Sequence, residues 1–302
     1  MITAVALAAY AALAGAAVPP LLARARWPLA APGAAVLAWL ALMTTFLVAT
    51  ALSVHHLVAG ERHPHDGLMA LLTVCLLEHH PSPVPGPPTP GDVLAVAAPV
   101  VVVLLPLPWL ARGVWRARRA RARQLDTLTL VGRTLPGYGV TVVDHGVPAV
   151  YCLAGRRSRV VVTRGALDVL SDAQLRAVVE HERAHLLGRH HLLHVLVDAF
   201  SRAFRGLPLA RLAREQTFLL LEMIADDRAL RLHSRDVLAT AMCEVAAGRT
   251  PRAALGAGGS GVLVRLCRVL DPQPRPTRTA WLCIVAATLA APSLPLLAVC
   301  GP

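Results

Sequence analysis

Two histidines and a glutamate lie within five consecutive residues, in an order that suits metal chemistry. His181, Glu182 and His185 form the pattern H-E-x-x-H. On an α-helix, residues four apart differ by about 40° in direction, so both imidazoles face one side and can bind a single Zn²⁺. Glu182 stands beside them, where a carboxylate can take a proton from water and pass it to a leaving amine. The pattern predicts a metal-dependent hydrolase and requires a third ligand.

The first candidate for the third ligand is His191. Residues 181–191 fit H-E-x-x-H-x-x-G-x-x-H, the metzincin pattern, in which the glycine ends the helix and the last histidine returns to the metal. Apolar residues at helical spacing continue beyond Gly188, which favours a helix that runs through the glycine. His191 would then point about 280° away from His181 and miss the metal. We keep His191 as the alternative metal ligand.

The second candidate is Glu222, in the segment E-x-x-x-D that ends at Asp226. The spacing places both carboxylates one turn apart on a helix, so that Glu222 can bind Zn²⁺ while Asp226 orients a ligand imidazole. Two acidic groups in an apolar helix are unfavourable unless a positive charge compensates them, which a zinc ion would do. The structural alternative is a solvent-facing pair or an ion pair with Arg183 or Arg228.

Two neighbouring histidines receive a simpler interpretation. His190 and His194 are also four residues apart, but no carboxylate stands between them as a base. We therefore expect both at the protein surface or at the membrane interface, outside any metal site.

The elements that must position this chemistry are a small sheet and a helix. Segments 139–144, 149–155 and 158–163 are rich in β-branched residues and separated by turn sequences, which predicts three strands. Ser171 and Gln174 form a capping box before an apolar-periodic segment, which predicts the start of the helix that carries the H-E-x-x-H pattern.

Composition places this domain in a membrane protein. Of the 302 residues, 55% are hydrophobic and only 16% are charged, and the mean hydropathy is +0.55, which is too apolar for an ordinary soluble domain. Runs of about 20 apolar residues can cross a bilayer as helices. Four such runs are predicted to be transmembrane helices, at 1–22, 34–59, 93–111 and 280–300.

The arginines set the predicted orientation, because positive charge collects on the cytoplasmic side. Arg24 and Arg26 follow the first run, and six arginines lie between positions 112 and 123, after the third. We expect the N-terminus outside, an extracytoplasmic loop at 60–91 and a cytoplasmic domain at 112–278. The positive charges of the first run follow its apolar part, which favours a membrane span over a cleaved signal peptide.

Net charge alone does not predict nucleic-acid binding. The formal charge of +12 would fit such a role, but the arginine-rich segment 112–123 has no interleaved aromatic pattern and no recognisable DNA-binding motif. Contact with anionic lipid next to a membrane span explains the segment better. The predicted fold class is therefore a membrane α-helical protein, with three N-terminal spans and one C-terminal span, and a cytoplasmic α+β zincin-like domain.

The segment that begins "SRVVVTRGALDVLSDAQLRAVVEHERAHLL", together with "EMIADDRAL", resembles the BlaR/MecR-type sensor-transducers, a family of integral-membrane zinc metallopeptidases. The resemblance covers the membrane layout and the zinc domain, and is most specific over 158–230. It implies that His181, His185 and Glu222 bind Zn²⁺, that Glu182 is the catalytic base and that Asp226 supports the site. It also implies regulatory proteolysis of a cytoplasmic protein, typically a transcriptional repressor.

One departure from that family limits the resemblance. Its sensors carry a penicillin-binding domain with S-x-x-K after the last span, whereas this sequence contains no lysine, so we expect no such sensor domain. The expected partners are the lipid bilayer and a protein substrate, with no direct binding of nucleic acid, and a homodimer is left open. Two alternatives also stay open: a housekeeping membrane protease of the HtpX or CAAX-processing type, and a non-catalytic membrane receptor with structural zinc.

Overall fold

The computed structural model describes residues 1–59, 90–135, 138–155, 158–247, 258–271, 274 and 276–300. The described chain is mostly helical and contains one four-stranded sheet, which agrees with the predicted combination of apolar helices and a small α+β unit. The predicted external loop at 60–91 lies almost entirely outside the described residues.

The N-terminal part is a pair of long apolar helices. Helix α1 (Ile2–Ala12) continues through a π-helical turn at Leu13–Ala17 into α2 (Val18–Arg24). A short helix α3 (Trp27–Ala30) then connects to α4 (Pro32–Ala59). The side chains of α1 and α4 pack together, so the two helices form an apolar hairpin.

The third apolar run does not form a single regular helix. Helix α5 (Pro90–Leu104) ends before two turn residues, and α6 (Leu107–Val131) begins after them, where Pro106 and Pro108 lack the amide hydrogens that a continuous helix needs. The arginine-rich segment lies on α6. The last apolar helix is α13 (Arg278–Cys300), which packs on α4. Within the described part of the chain, four helical stretches are long and apolar enough to cross a membrane: Ile2–Arg24, Pro32–Ala59, Val93–Asp126 and Arg278–Leu297.

The small sheet has the strand order β1-β2-β4-β3. Its strands are β1 (Arg133–Leu135), β2 (Val140–Val143), β3 (Val150–Leu153) and β4 (Arg159–Thr163). Strands β2 and β4 are parallel, while β1 pairs antiparallel with β2 and β3 pairs antiparallel with β4. The three predicted strands are confirmed within a residue or two at each end, and β1 was not predicted because it has only three residues.

Among the described residues, six helices lie between the sheet and α13. They are α7 (Arg164–Val169), α8 (Asp172–Leu187), α9 (His190–Ala203), α10 (Pro208–Ala229), α11 (Arg235–Ala247) and α12 (Gly258–Leu270). The buried valines of β2, β3 and β4 pack against Leu175 and Val179 of α8, which covers one face of the sheet.

A second apolar cluster joins the N-terminal hairpin to the helices behind the site. Trp39 and Met43 of α4 are buried against Phe200 of α9 and Leu220 and Met223 of α10. Burial of such large apolar side chains stabilises the folded state by about 1.5–3 kcal/mol each. Helix α10, which carries the acidic residues of the candidate site, therefore rests directly on a candidate membrane span.

Candidate metal centre

Helix α8 positions the two histidines of the H-E-x-x-H pattern. Its predicted start is confirmed, since the Ser171 hydroxyl accepts a hydrogen bond from the Gln174 amide and the Gln174 side chain accepts one from the Ser171 amide. The capping box satisfies amide hydrogens that have no partner within the helix. With its apolar face fixed on the sheet, α8 directs His181 and His185 toward α10.

Helix α10 supplies the carboxylates. Pro208 stands in its first turn, where the missing amide hydrogen costs nothing, and Leu220 and Met223 anchor the helix in the apolar cluster described above. Glu222 and Asp226 then face α8 one turn apart, in agreement with the predicted helical spacing.

The three predicted ligand atoms converge. Nε2 of His181 lies 3.2 Å from Nε2 of His185. The two carboxylate oxygens of Glu222 lie 3.5 Å from Nε2 of His181 and 3.3 Å from Nε2 of His185. Zinc–ligand bonds of about 2.0–2.1 Å at tetrahedral angles place neighbouring ligand atoms about 3.3–3.4 Å apart. The observed separations therefore fit a zinc ion held by two imidazoles and one carboxylate.

Asp226 holds the outer nitrogen of one of these imidazoles. Its Oδ1 lies 2.9 Å from Nδ1 of His181, and its side chain is only 1% exposed. Burial of His181 disfavours its charged form, but Asp226 and Glu222 outweigh that effect and raise the pKa of His181 to about 9. Because the metal binds the neutral imidazole, a metal ion must displace this proton, which Asp226 and Glu222 otherwise stabilise.

An arginine that the sequence analysis did not single out completes the acidic side of the site. Nε and Nη2 of Arg265, on α12, donate to the two oxygens of Asp226 at 2.8 and 2.7 Å. Its Nη1 donates to Oε2 of Glu222 at 2.7 Å. Burial of the two carboxylates would raise their pKa values, but hydrogen bonds and charge from His181 and Arg265 lower both. His181 and Arg265 together therefore favour the charged form of both carboxylates.

The sequence left open an ion pair of Glu222 or Asp226 with Arg183 or Arg228, and these ion pairs do not form. Arg183 and Arg228 both contact Glu180, at 3.6 and 3.0 Å, and neither pairs with Glu222 or Asp226. Arg265 has this role instead.

Glu182 is half-buried beside the edge of the sheet. Burial is the largest effect on its carboxyl and raises its pKa above the ordinary value. It contacts the thiol of Cys152 on β3, whose own pKa is raised to about 12 by burial and then by the charge of Glu182. A carboxylate with a raised pKa is a better proton acceptor than an exposed one, as a general base requires.

The helix boundary after the motif differs from the prediction. We predicted a helix running through Gly188, and this is wrong: α8 ends at Leu187, Arg189 adopts the left-handed conformation with φ 49°, and α9 starts at His190. The chain thus breaks at the glycine, as the metzincin pattern predicts. His191 nevertheless stays out of the group of ligand atoms formed by His181, His185 and Glu222 among the described residues.

The break brings a different histidine to the site. His190 is 4% exposed, and its Nδ1 lies 2.7 Å from Nδ1 of His185. Burial is the main cause that lowers the pKa of both His185 and His190 to about 4, so both rings are neutral near pH 7. The prediction of a surface or interface position is therefore wrong for His190. His194 is half-buried and stacks on Phe218, with ring centroids 4.2 Å apart.

The fold and the site together define a class: a metallopeptidase-like domain attached to apolar helices. The family model of peptidase family M48 matches residues 115–244, a segment that includes α8 and α10 with their candidate ligands. The match supports membership in this metallopeptidase family, and the finer resemblance to the BlaR/MecR type stays a prediction. No curated protein and no solved structure matches the chain.

Proposed function

We propose that the chain is an integral-membrane zinc endopeptidase that cleaves a cytoplasmic protein. The observation that carries the proposal is the convergence of two imidazole nitrogens and a carboxylate within 4.8 Å of one another, in a segment that matches a metallopeptidase family. His181, His185 and Glu222 would hold the metal. Asp226 would fix the orientation of His181, as outer carboxylates do for metal-bound histidines.

The proposed mechanism divides the reaction between the metal and Glu182. When bound, zinc acts as a Lewis acid that polarises the scissile carbonyl and lowers the pKa of water. Glu182 takes the proton from the attacking water and later passes it to the leaving amine nitrogen. Burial raises the pKa of Glu182, which favours the first step because the carboxylate accepts a proton more readily than an exposed one.

The position of strand β3 at the edge of the sheet favours a polypeptide as the substrate. Among the described strands, β3 is an edge strand with β4 on one side, and it packs against α8. An extended peptide can add to such an edge through main-chain hydrogen bonds. Because Cys152 of β3 contacts Glu182, a peptide at this edge would pass close to the proposed base.

We also propose that the peptidase domain faces the cytoplasm and that its cleavage reaction is regulatory, with a transcriptional repressor as the type of substrate. The proposal of a cytoplasmic domain rests on the arginines that follow the first and third apolar runs. The regulatory role rests on the resemblance to the BlaR/MecR-type sensor-transducers.

The test compares Glu182→Gln with the wild type, both purified as full-length chains in detergent and loaded with zinc. Glu182→Gln should retain one zinc per chain and lose cleavage of an unfolded protein such as casein by at least about a hundredfold, since a general base contributes 10²–10⁴. Zinc content by mass spectrometry and cleavage by gel electrophoresis provide the two measurements.

Glu215→Gln is the matched control, because Glu215 is an exposed glutamate on α10 that pairs with Arg211 away from the site. It should keep both zinc and cleavage. Undiminished cleavage by Glu182→Gln would refute the proposed role of Glu182. A wild type that binds zinc tightly but cleaves nothing would instead favour a structural metal.

A further inference from the structure

We propose that His190 is a positioning residue for the metal site. Its ring holds Nδ1 of the proposed ligand His185, the nitrogen that does not face the other ligands. The proposal rests on the proposed function, since it assumes that His185 binds a metal through Nε2. It concerns the side of His185 that faces away from Glu222, where the described residues provide no carboxylate like the one that holds His181.

The two nitrogens of His185 have different neighbours. Nε2 faces Nε2 of His181 and the Glu222 carboxylate, at 3.2 and 3.3 Å. Nδ1 lies 2.7 Å from Nδ1 of His190, and the two rings meet edge to face with centroids 4.8 Å apart. This distance is short enough for a hydrogen bond between the imidazoles. His190 is thus in direct contact with the nitrogen that does not face the other proposed ligands.

The backbone at Gly188 and Arg189 leaves room for the contact between His190 and His185. A Cβ atom at Gly188 would lie 2.4 Å from Nε2 and 2.6 Å from Cδ2 of His190, distances at which the ring would have to move. Arg189 then adopts a left-handed conformation, which costs a non-glycine residue about 1 kcal/mol or more. The small size of Gly188 and the left-handed conformation of Arg189 together allow the ring of His190 to contact His185 directly after α8 ends.

The chemistry of the pair follows from the tautomers. An imidazole that binds a metal through Nε2 carries its proton on Nδ1 and needs an acceptor there. A neutral His190 offers Nδ1 as that acceptor and keeps its own proton on Nε2. His185 would thus donate to His190, while on the other ligand Nδ1 of His181 lies 2.9 Å from Oδ1 of Asp226. One ligand is oriented by a charged carboxylate and the other by a neutral ring, so the site gains orientation without a third buried negative charge.

The first test measures zinc affinity of the detergent-purified full chain by competition with a fluorescent chelator. His190→Ala should weaken zinc binding by about 10–100-fold, the usual effect of removing such an outer partner. His190→Gln, whose side-chain carbonyl can accept the same hydrogen bond, should recover part of the loss. His191→Ala and His194→Ala are matched controls from the same helix and should bind zinc like the wild type.

Cobalt substitution provides a readout that general destabilisation would not imitate. The visible absorption bands of bound Co²⁺ report the ligand geometry. His190→Ala loaded to saturation should show shifted bands, because the imidazole of His185 is no longer held in one orientation. Both control variants should keep the wild-type spectrum.

Gly188→Ala tests the same contact without changing either histidine. The added methyl group should displace the ring of His190 and weaken zinc binding in the same direction as His190→Ala. Because both substitutions break one contact, the double variant should be no weaker than the weaker single variant, whereas independent effects would multiply.

The outcomes separate the two proposals. Wild-type affinity and an unshifted cobalt spectrum in His190→Ala would overturn the positioning role and leave the zinc site intact. Multiplying losses in the double variant would also overturn it, since the glycine would then act through another contact. Failure of the wild type to bind zinc would overturn the proposed function together with the role of His190.

Discussion

The third ligand is the residue on which the type of metal site depends. Glu222 places both carboxylate oxygens within 3.5 Å of the imidazole nitrogens, whereas His191 lies beyond the break at Gly188, on a separate helix. If Glu222 is the third ligand, its substitution should remove the metal. If His191 is the third ligand, substitution of that histidine should remove it.

We predict that Glu222→Ala loses stoichiometric zinc and that His191→Ala retains it. The reason is that loss of the proposed ligand Glu222 would leave two imidazoles, too few for a tight site, while His191 lies outside the group formed by His181, His185 and Glu222. Zinc per chain after dialysis against a weak chelator is the measurement. Retention in Glu222→Ala together with loss in His191→Ala would reverse the ligand assignment.

The sequence predicted those site residues that lie one helical turn apart on the same helix. His181 and His185 are one turn apart on α8, and Glu222 and Asp226 are one turn apart on α10, so each pair could be placed on one face before any tertiary contact was known. Strands β2, β3 and β4 and the capping box at Ser171 are local features too, and the sequence predicted them for the same reason.

The rest depended on contacts between distant segments. Arg265 follows Asp226 by 39 positions, and no spacing rule links an arginine on one helix to carboxylates on another. The break after Leu187 was missed because apolar periodicity resumes on α9, and only the left-handed Arg189 shows that the two helices are separate. A glycine followed by a polar, His-rich run was the one indication in the sequence.

At the scale of elements, α12 acts as a clamp on α10. Arg265 binds Asp226 and Glu222, and Arg268 donates to both oxygens of Asp227 at 2.7 and 2.9 Å. Nε of Arg268 also donates to the carbonyl oxygen of Leu29 at 2.6 Å. The clamp thus connects the site helix to the segment between the first two apolar helices.

We predict that Arg265→Ala lowers the free energy of unfolding of the metal-free chain by about 3–5 kcal/mol. The variant would leave the 1%-exposed side chain of Asp226 with less positive charge beside it, and breaking a buried ion pair has costs of this size. Thermal unfolding in detergent, followed by circular dichroism, measures the change.

Arg211→Ala is the control for this prediction. Arg211 lies on α10 and its side chain is 67% exposed, with one ion pair to Glu215 at 3.6 Å. An exposed pair of this kind contributes at most about 1 kcal/mol. Equal stability of Arg265→Ala and Arg211→Ala would show that α12 is not held on the site helix by this arginine.

At the scale of the molecule, the apolar helices and the site form one continuous packed unit. Trp39 of α4 is 1% exposed and belongs to the same apolar cluster as Leu220 and Met223, which flank Glu222 on α10. The predicted orientation puts the C-terminal end of α4 outside and the site helices inside.

Two native cysteines can test that orientation. Cys75 belongs to the predicted external loop, and the exposed Cys243 lies on α11 in the predicted cytoplasmic domain. In variants that keep only one of them, a membrane-impermeant maleimide applied to intact cells should label Cys75 and leave Cys243 unlabelled. Permeabilised cells should show labelling of Cys243. Labelling of Cys243 in intact cells would contradict the cytoplasmic placement.

Peptide-bond hydrolysis with Glu182 as the base is the activity that we propose for this chain. The most direct test in the intact system is a comparison of protein N-termini in cells that produce the wild type or Glu182→Gln at equal levels. We predict at least one cytoplasmic protein with a new internal N-terminus in wild-type cells, which is absent and replaced by the uncut protein in Glu182→Gln cells. Identical sets of N-termini in the two strains would contradict the claim.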